Sequence, residues 1–375
     1  MSICIRRATL DDQEAIQRFI HQAFQEFAPF KAEDRWCWQF VDNPFSPRVG
    51  PNVPVWLACE GANVVGQIAV QGTEVQVDGN LHPAGWIVDV MVLPACRGIG
   101  LGHRLLEAAA RDVPLLLTLT MAPATRRMNT RAGAVTLGPT RQWSRWTRLL
   151  PDDVRRYLVQ RTTHRKFFGA VVRSTCAGFS VHHMFAGVIN SMLWLRRAIP
   201  QRSSLELTIY EVARFGEEVD ALWAKVAADY PAICPRHSRF LNWRFTDCPQ
   251  LKYKIFFVSR GNSVVGYLVL RRTGEQELRL GIIADVFAAR ADIEVFRTLI
   301  IHAIAYFGDD VASVECATSI PEITSVVQKL GFCCSRTLAP TAIIDDEMLR
   351  GRVEQLKRNW YFTMADHDWD QIQIA

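Results

Sequence analysis

Trp38-Gln39-Phe40-Val41-Asp42-Asn43-Pro44 returns as Trp243-Arg244-Phe245-Thr246-Asp247-Cys248-Pro249, about 200 residues downstream. Val64-Val65-Gly66 returns as Val264-Val265-Gly266, again about 200 residues downstream, each time after a short turn containing Gly and Asn. Upstream of these pairs, CIRRATLDDQEAIQRFIHQAF and LTIYEVARFGEEVDALWAKV each place a strand-like piece before an apolar-periodic helix. Matches in one order at one spacing mark two copies of a single unit. The chain must therefore adopt a fold that can be built twice.

The first copy reads as strand Ile3–Arg7, helix Asp11–Phe27, a Trp-rich helix Arg35–Phe40, strand Val55–Glu60 and strand Val64–Val77 interrupted by Gly72. Strand Trp86–Leu93, helix Gly102–Arg111, strand Pro114–Leu119, a short helix near Thr125–Arg131 and closing strands to Leu149 complete it. The second copy ends on a strand-helix unit, strand SVECAT, helix ITSVVQKLGF and closing strands. Helices alternate with strands while hairpins are also present, which predicts an α/β fold: in each copy a twisted mixed sheet with helices on both faces. The expected organisation is a first module at 1–150, a basic connector at 151–204, a second module at 205–349 and a tail at 350–375.

The net charge of +5 is uneven. Nine Lys/Arg stand against two Asp between Pro151 and Ser204, and the rest of the chain is slightly acidic. The apolar run FFGAVVRSTCAGFSVHHMFAGVINSMLWL lies inside this segment. It reads as a helical connector with solvated basic residues, or as amphipathic helices on an anionic membrane surface. Nucleic acid is not expected, because no aromatic and basic residues alternate on strands. The start MSICIRRATLDD has no apolar core of a signal peptide and no run of 18 uncharged apolar residues occurs, so a cytoplasmic protein is expected. The ten cysteines have irregular spacing without CxxC pairs, and read as buried thiols rather than metal ligands or disulfides.

The stretch Val92-Leu93-Pro94-Ala95-Cys96-Arg97-Gly98-Ile99-Gly100-Leu101-Gly102 leaves a strand and enters a helix. Glycines permit φ > 0 and a close approach of ligand to the amides. The helix start offers unpaired N–H groups and the positive end of its dipole. Arg97 adds forked donors, so the corner suits a phosphate or diphosphate. It is neither GxGxxG nor a GKS/GKT loop.

This stretch resembles the acyl-CoA signature of the GNAT superfamily of N-acetyltransferases, R/Q-x-x-G-x-G/A, strongly over residues 3–149 and weakly over 205–349. The resemblance implies two GNAT-like modules, acetyl-CoA or another short acyl-CoA as co-substrate, and direct acyl transfer to an amine. It implies that Arg97, Gly98, Gly100, Leu101, Gly102 and His103 line the diphosphate, and that Met91 and Val92 pair with the pantetheine. Two departures stand out. The position where many members carry a Tyr, four before the glycine that follows the short helix, is Asn129 before Gly133, and an Asn that often opens that helix is replaced by Ala122. In the second copy Ala288-Ala289-Arg290-Ala291-Asp292 stands where the glycine loop belongs, so that copy is expected not to bind CoA.

A general base must take a proton from the ammonium form of the acceptor. Asp89, inside GWIVDVMVLP, is the candidate. Its counterpart Asp285, in IADVF, favours a structural role common to both copies. Trp36, Trp38 and Trp243 read as wedges between helix and sheet, or as the floor of a sugar site. The ending WYFTMADHDWD reads as a solvated acidic tail anchored by aromatics, or as an Asp/His cluster for a metal or cationic acceptor. The expected function is N-acyl transfer to a small amine, for example an amino sugar or cell-envelope precursor. A Fem-type aminoacyl transferase and a CoA-binding scaffold without turnover are the alternatives.

Overall fold

The structure, a computed structural model, describes residues 3–25, 28–31, 34–46, 51–153, 186–191, 206–273 and 278–371. The connector expected at 151–204 thus lies almost wholly outside the described residues. The first half runs β1 (Ile3–Thr9), α1 (Gln13–Phe24), α2 (Ala28–Lys31), α3 (Asp34–Trp36) and a π-turn at Cys37–Val41. Then follow β2 (Asn52–Glu60), β3 (Asn63–Val77), β4 (Asn80–Val92), α4 (Leu101–Asp112), β5 (Leu115–Thr118), α5 (Pro123–Arg131), β6 (Val135–Thr136) and β7 (Thr140–Trp146). The second half repeats the order: β8 (Leu207–Val212), α6 (Glu217–Val226), β9 (Ala232–Ile233), α7 (Ser238–Leu241) and a second π-turn at Asn242–Thr246. It continues with β10 (Lys254–Arg260), β11 (Ser263–Arg272), β12 (Leu280–Ala288), α8 (Ile293–Phe307), β13 (Ser313–Thr318), α9 (Pro321–Lys329), β14 (Cys333–Leu338) and β15 (Thr341–Ile344). Helix α10 (Glu347–Leu356) and β16 (Trp360–Tyr361) close the chain.

Two mixed sheets result, and their topologies match. Among the described residues one sheet is ordered β1-β2-β3-β4-β5-β15-β6 and the other β8-β10-β11-β12-β13-β7-β14. Only β4–β5 and β12–β13 on these paths are parallel. The expected α/β class is what the structure shows. The linear order of modules is not that of the sheets, however. β7 from the first half lies between β13 and β14, while β15 from the second half lies between β5 and β6. The closing strand that the sequence assigns to the first copy therefore belongs to the second sheet, and the reverse holds for β15. Backbone amides in a strand must find a ladder, and each of these strands finds it in the other half.

The repeat also meets itself in space. Trp38 and Trp243 stack with centroids 4.7 Å apart and planes 14° apart. Trp38 Nε1 donates to the Trp243 carbonyl (2.8 Å), and Trp243 Nε1 donates to the Trp38 carbonyl (3.0 Å). Reciprocal contacts of this kind are those of a local two-fold axis. Both rings are buried, so they act as wedges, and they border a cleft of about 640 Å³ that includes Asp42, Asp247 and Arg214. Cys59, Cys234, Cys248 and Cys316 are buried as expected, whereas Cys4 on edge strand β1 and Cys333 and Cys334 on edge strand β14 are exposed.

Candidate active site

The first sheet opens beside α4. Pairing between β4 and β5 covers Gly85↔Leu116 and Trp86↔Leu117, and beyond Trp86 the two strands part. A bulge between Ile87 and Asp89, set against Val70 and Ala69, turns β4 at this point. Leu93 N–H donates to the Val65 carbonyl (2.9 Å), and Met91 faces Gln67 in the same register. Antiparallel pairs alternate, so Met91 spends its N–H and C=O on β3 while Val90 and Val92 turn theirs away from it, the Val92 carbonyl accepting from Arg97 Nε. Val92, expected beside the pantetheine, thus turns its backbone away from β3, whereas Met91, expected there with it, pairs with Gln67.

The glycine corner follows directly. Gly98 and Gly100 have φ of +86° and +83°, values that a residue with a side chain rarely adopts, and a Cβ built on either would meet nothing within 4 Å. Gly100 is the N-cap of α4. The amides of Gly98, Ile99, Gly100, Leu101 and Gly102 have no acceptor among the described residues. Arg97 is exposed and anchored by Nε to the Val92 carbonyl (2.9 Å), which leaves its other donors free. Leu101 turns its side chain into the core and offers only its amide. His103 is exposed in the first turn of α4, with Nε2 3.4 Å from Glu107. Gly102 packs closely on α5, where a Cβ would lie 3.3 Å from Met128 Sδ.

The same corner of the second sheet is closed. Val286 and Ala288 face Leu268 and Gly266, as Val90 and Val92 face Ile68 and Gly66. Tyr361 donates its hydroxyl to the Val286 carbonyl, and Tyr230 donates to the Ala288 carbonyl at 2.7 Å. Burial pushes both phenols above their usual range, so they remain protonated donors. The N-cap of α8 is Asp292, whose carboxylate accepts from Val295 N–H (3.2 Å). A helix start that already holds a carboxylate repels an added anion.

Asp89 lies at the bulge and is buried, with Oδ1 2.8 Å from Lys31 Nζ. Lys31 also reaches Asp368 Oδ2 at 3.2 Å. Asp285, at the equivalent bulge, pairs with Arg236 (3.0 Å) and accepts from Tyr267 (2.8 Å). Burial raises the Asp285 carboxyl against the pull of Arg236. Asn129 is the buried residue of α5, and its Nδ2 donates to Thr118 Oγ1 (3.2 Å) and Thr341 Oγ1 (3.1 Å). Gly133 and Gly331 end α5 and α9 with φ of +72° and +84°, which supports the alignment that leaves Asn129 at the Tyr position.

The tail is the part that sequence reasoning missed. It is neither solvated nor a metal cluster: Asp366 pairs with Arg236 (2.7 Å), Asp368 with Lys31 and His367, and Asp370 with Arg244, all buried. The available signal was Arg244 and Lys31 within or beside the Trp-rich helices, but no local pattern links them to residues more than a hundred positions away. Burial alone would raise the Asp368 carboxyl, yet His367 and Lys31 hold it well below the ordinary 3.8. A depressed folded-state value means that this carboxylate stabilises the fold above about pH 3.8 and loses that contribution as the pH falls below it. Asp368→Asn should therefore lower the melting temperature at neutral pH by more than it does near pH 3. An equal deficit at both pH values would contradict the pairing.

Residues 4–115 match the family model described as an acetyltransferase (GNAT) domain. No curated relative matches the sequence. The fold is similar to a GCN5-related N-acetyltransferase from Anabaena variabilis (12% identity, TM-score 0.59, 91% of this chain and 72% of that one). It is also similar to a probable N-acyltransferase from Enterococcus faecalis (11%, 0.59, 92% and 73%). A third similar structure is the N-myristoyltransferase of Saccharomyces cerevisiae with bound myristoyl-CoA (13%, 0.54, 91% and 79%). At such identities these structures speak for the fold alone. Strand β4 and the open glycine corner lie within residues 4–115, the part of the chain that matches the acetyltransferase (GNAT) domain model.

Proposed function

We propose that this protein transfers an acyl group from acyl-CoA directly to an amine, using the first sheet alone as its CoA site. The observation that carries the reading is the contrast between two equivalent corners. One has free amides and a free strand edge, whereas the other is filled by Tyr230, Tyr361 and Asp292. A diphosphate at Gly98 to Gly102 would receive several charge-assisted hydrogen bonds together with the positive end of α4. Arg97 and His103 flank that position. An amide-bearing arm along β4 would complete the ladder that Val90 and Val92 leave open.

A bound thioester supplies an activated carbonyl. The chain must supply a place for the amine's proton, and Asp89 is the carboxylate at the bulge. Its Oδ1 is held by Lys31, while its Oδ2 has no hydrogen-bond partner among the described residues and takes the proton, directly or through water. Lys31 bridges Asp89 and Asp368 and so holds the Asp89 carboxylate in place through Oδ1. Asn129 has no acidic proton for the departing thiolate. That leaving group is weakly basic near neutral pH and needs little help.

Calorimetry with acetyl-CoA tests the first part of the reading, and absence of binding ends it. Release of free thiol with a panel of amino sugars, nucleotide-linked amino sugars, polyamines and peptide N-termini tests the second. Binding without thiol release for any amine would make the protein a CoA-binding scaffold. Asp89→Asn is expected to lower kcat by about 100-fold or more while binding persists. A folded variant with unchanged turnover would remove Asp89 from the base role.

A further inference from the structure

The CoA-site reading above leaves open what meets the acyl group at the far end of the β4 edge, and this inference rests on that reading. A ligand arm that starts at the glycine corner meets Val92 first, then Val90, and then Ile87 where the strands come together. His367 stands at that point. Its Nε2 lies 3.2 Å from the Ile87 carbonyl oxygen, and its ring meets Trp86 edge-on at 5.6 Å. Trp86 in turn packs on Phe362 at 5.7 Å, and Phe362 stacks on Trp360 at 5.3 Å. All four side chains are buried. Ile87, Val90 and Val92 pack on the α4 face, whereas Trp86 packs with the tail on the opposite one.

We propose that the C-terminal tail is the end wall of the acyl slot, with His367 against Ile87 and Trp86 as the residue that stops a long acyl chain. An aromatic plug could yield if it were loosely held, but this one is pinned on every side. His367 Nδ1 lies 2.5 Å from Asp368 Oδ1, Asp368 holds Lys31, and Lys31 holds Asp89. The His367 carbonyl accepts from Arg244 Nη2 at 2.8 Å. Added methylenes would have to displace a close-packed, hydrogen-bonded wall, and overpacking of that kind is unfavourable. A two-carbon acyl group ends before it.

Isothermal titration of the full-length chain with CoA, acetyl-CoA and octanoyl-CoA tests the assignment without needing an acceptor. Acetyl-CoA should bind about as tightly as CoA, and octanoyl-CoA about ten-fold or more weaker. His367→Ala should narrow the gap for octanoyl-CoA. Equal affinity of wild type for acetyl- and octanoyl-CoA overturns the inference and leaves the CoA site intact. Failure of CoA and both thioesters to bind removes the CoA site itself, and the end wall with it. A folded His367→Ala variant that discriminates as wild type does also overturns the assignment. If that variant does not fold, the wild-type pair of thioesters still decides.

Discussion

A chain that stops at Asn359 is expected not to fold. The missing segment carries Asp366, Asp368 and Asp370, and its removal leaves Arg244 buried without its carboxylate, while Arg236 keeps Asp285 and Lys31 keeps Asp89. Leaving one buried charge unpaired costs about 3–5 kcal/mol. That loss approaches the lower end of an ordinary domain's whole stability, about 5–15 kcal/mol, and weakening of the Arg236 and Lys31 networks adds to it. Trp360, Tyr361 and Phe362 leave the core in the same step. Urea unfolding followed by far-UV circular dichroism checks this. A cooperative transition with a midpoint near that of the full chain would show that the tail is dispensable. Asp370→Ala is a milder version, because it strips both Arg244 and Tyr253 of a partner.

The second large effect is expected at the glycine corner. Gly98→Leu combined with Gly100→Leu should weaken CoA binding by about 100-fold or more, since two or three charge-assisted hydrogen bonds are lost together. Each substitution places a side chain in left-handed backbone at a cost of about 1–2 kcal/mol, and a Cβ at either position would meet no atom within 4 Å, so the fold should survive. Calorimetry with CoA gives the affinity and a thermal melt reports on the fold. Undiminished binding by a folded double variant would mean that the diphosphate sits elsewhere. The matching change in the second sheet, Ala289→Gly with Ala291→Gly, should create no second CoA site, because Tyr230, Tyr361 and Asp292 already occupy the groups a ligand would use.

Much of the architecture was legible because it is written locally. The spacing of Trp38 and Trp243, the bulge carboxylates Asp89 and Asp285, and the glycines after α5 and α9 all sit in short patterns that secondary structure imposes. The glycine corner is of the same kind: its residues lie side by side in the chain. The choice between Met91 and Val90 was not legible. It turns on which β4 residues exchange bonds with β3, and that register follows from the Leu93 contact with Val65. Exchange of β7 and β15 was out of reach for a related reason, as either strand would satisfy the alternation rule in either sheet. The tail misled most, because adjacent aspartates suggest solvent when the cations that bury them are far away in sequence.

The exchanged strands have a consequence for synthesis. Thr341 pairs with Thr118 and Thr136, and Trp146 pairs with Ser313, so both sheets depend on contacts between residues far apart in the chain. Folding slows as such contacts lengthen. The first sheet cannot finish while its own β15 is still inside the ribosome, although residues 1–115 emerged long before. The nascent chain must keep an unfilled gap beside β5 until β15 has been made, and during that interval it is exposed to mispairing with a neighbouring copy.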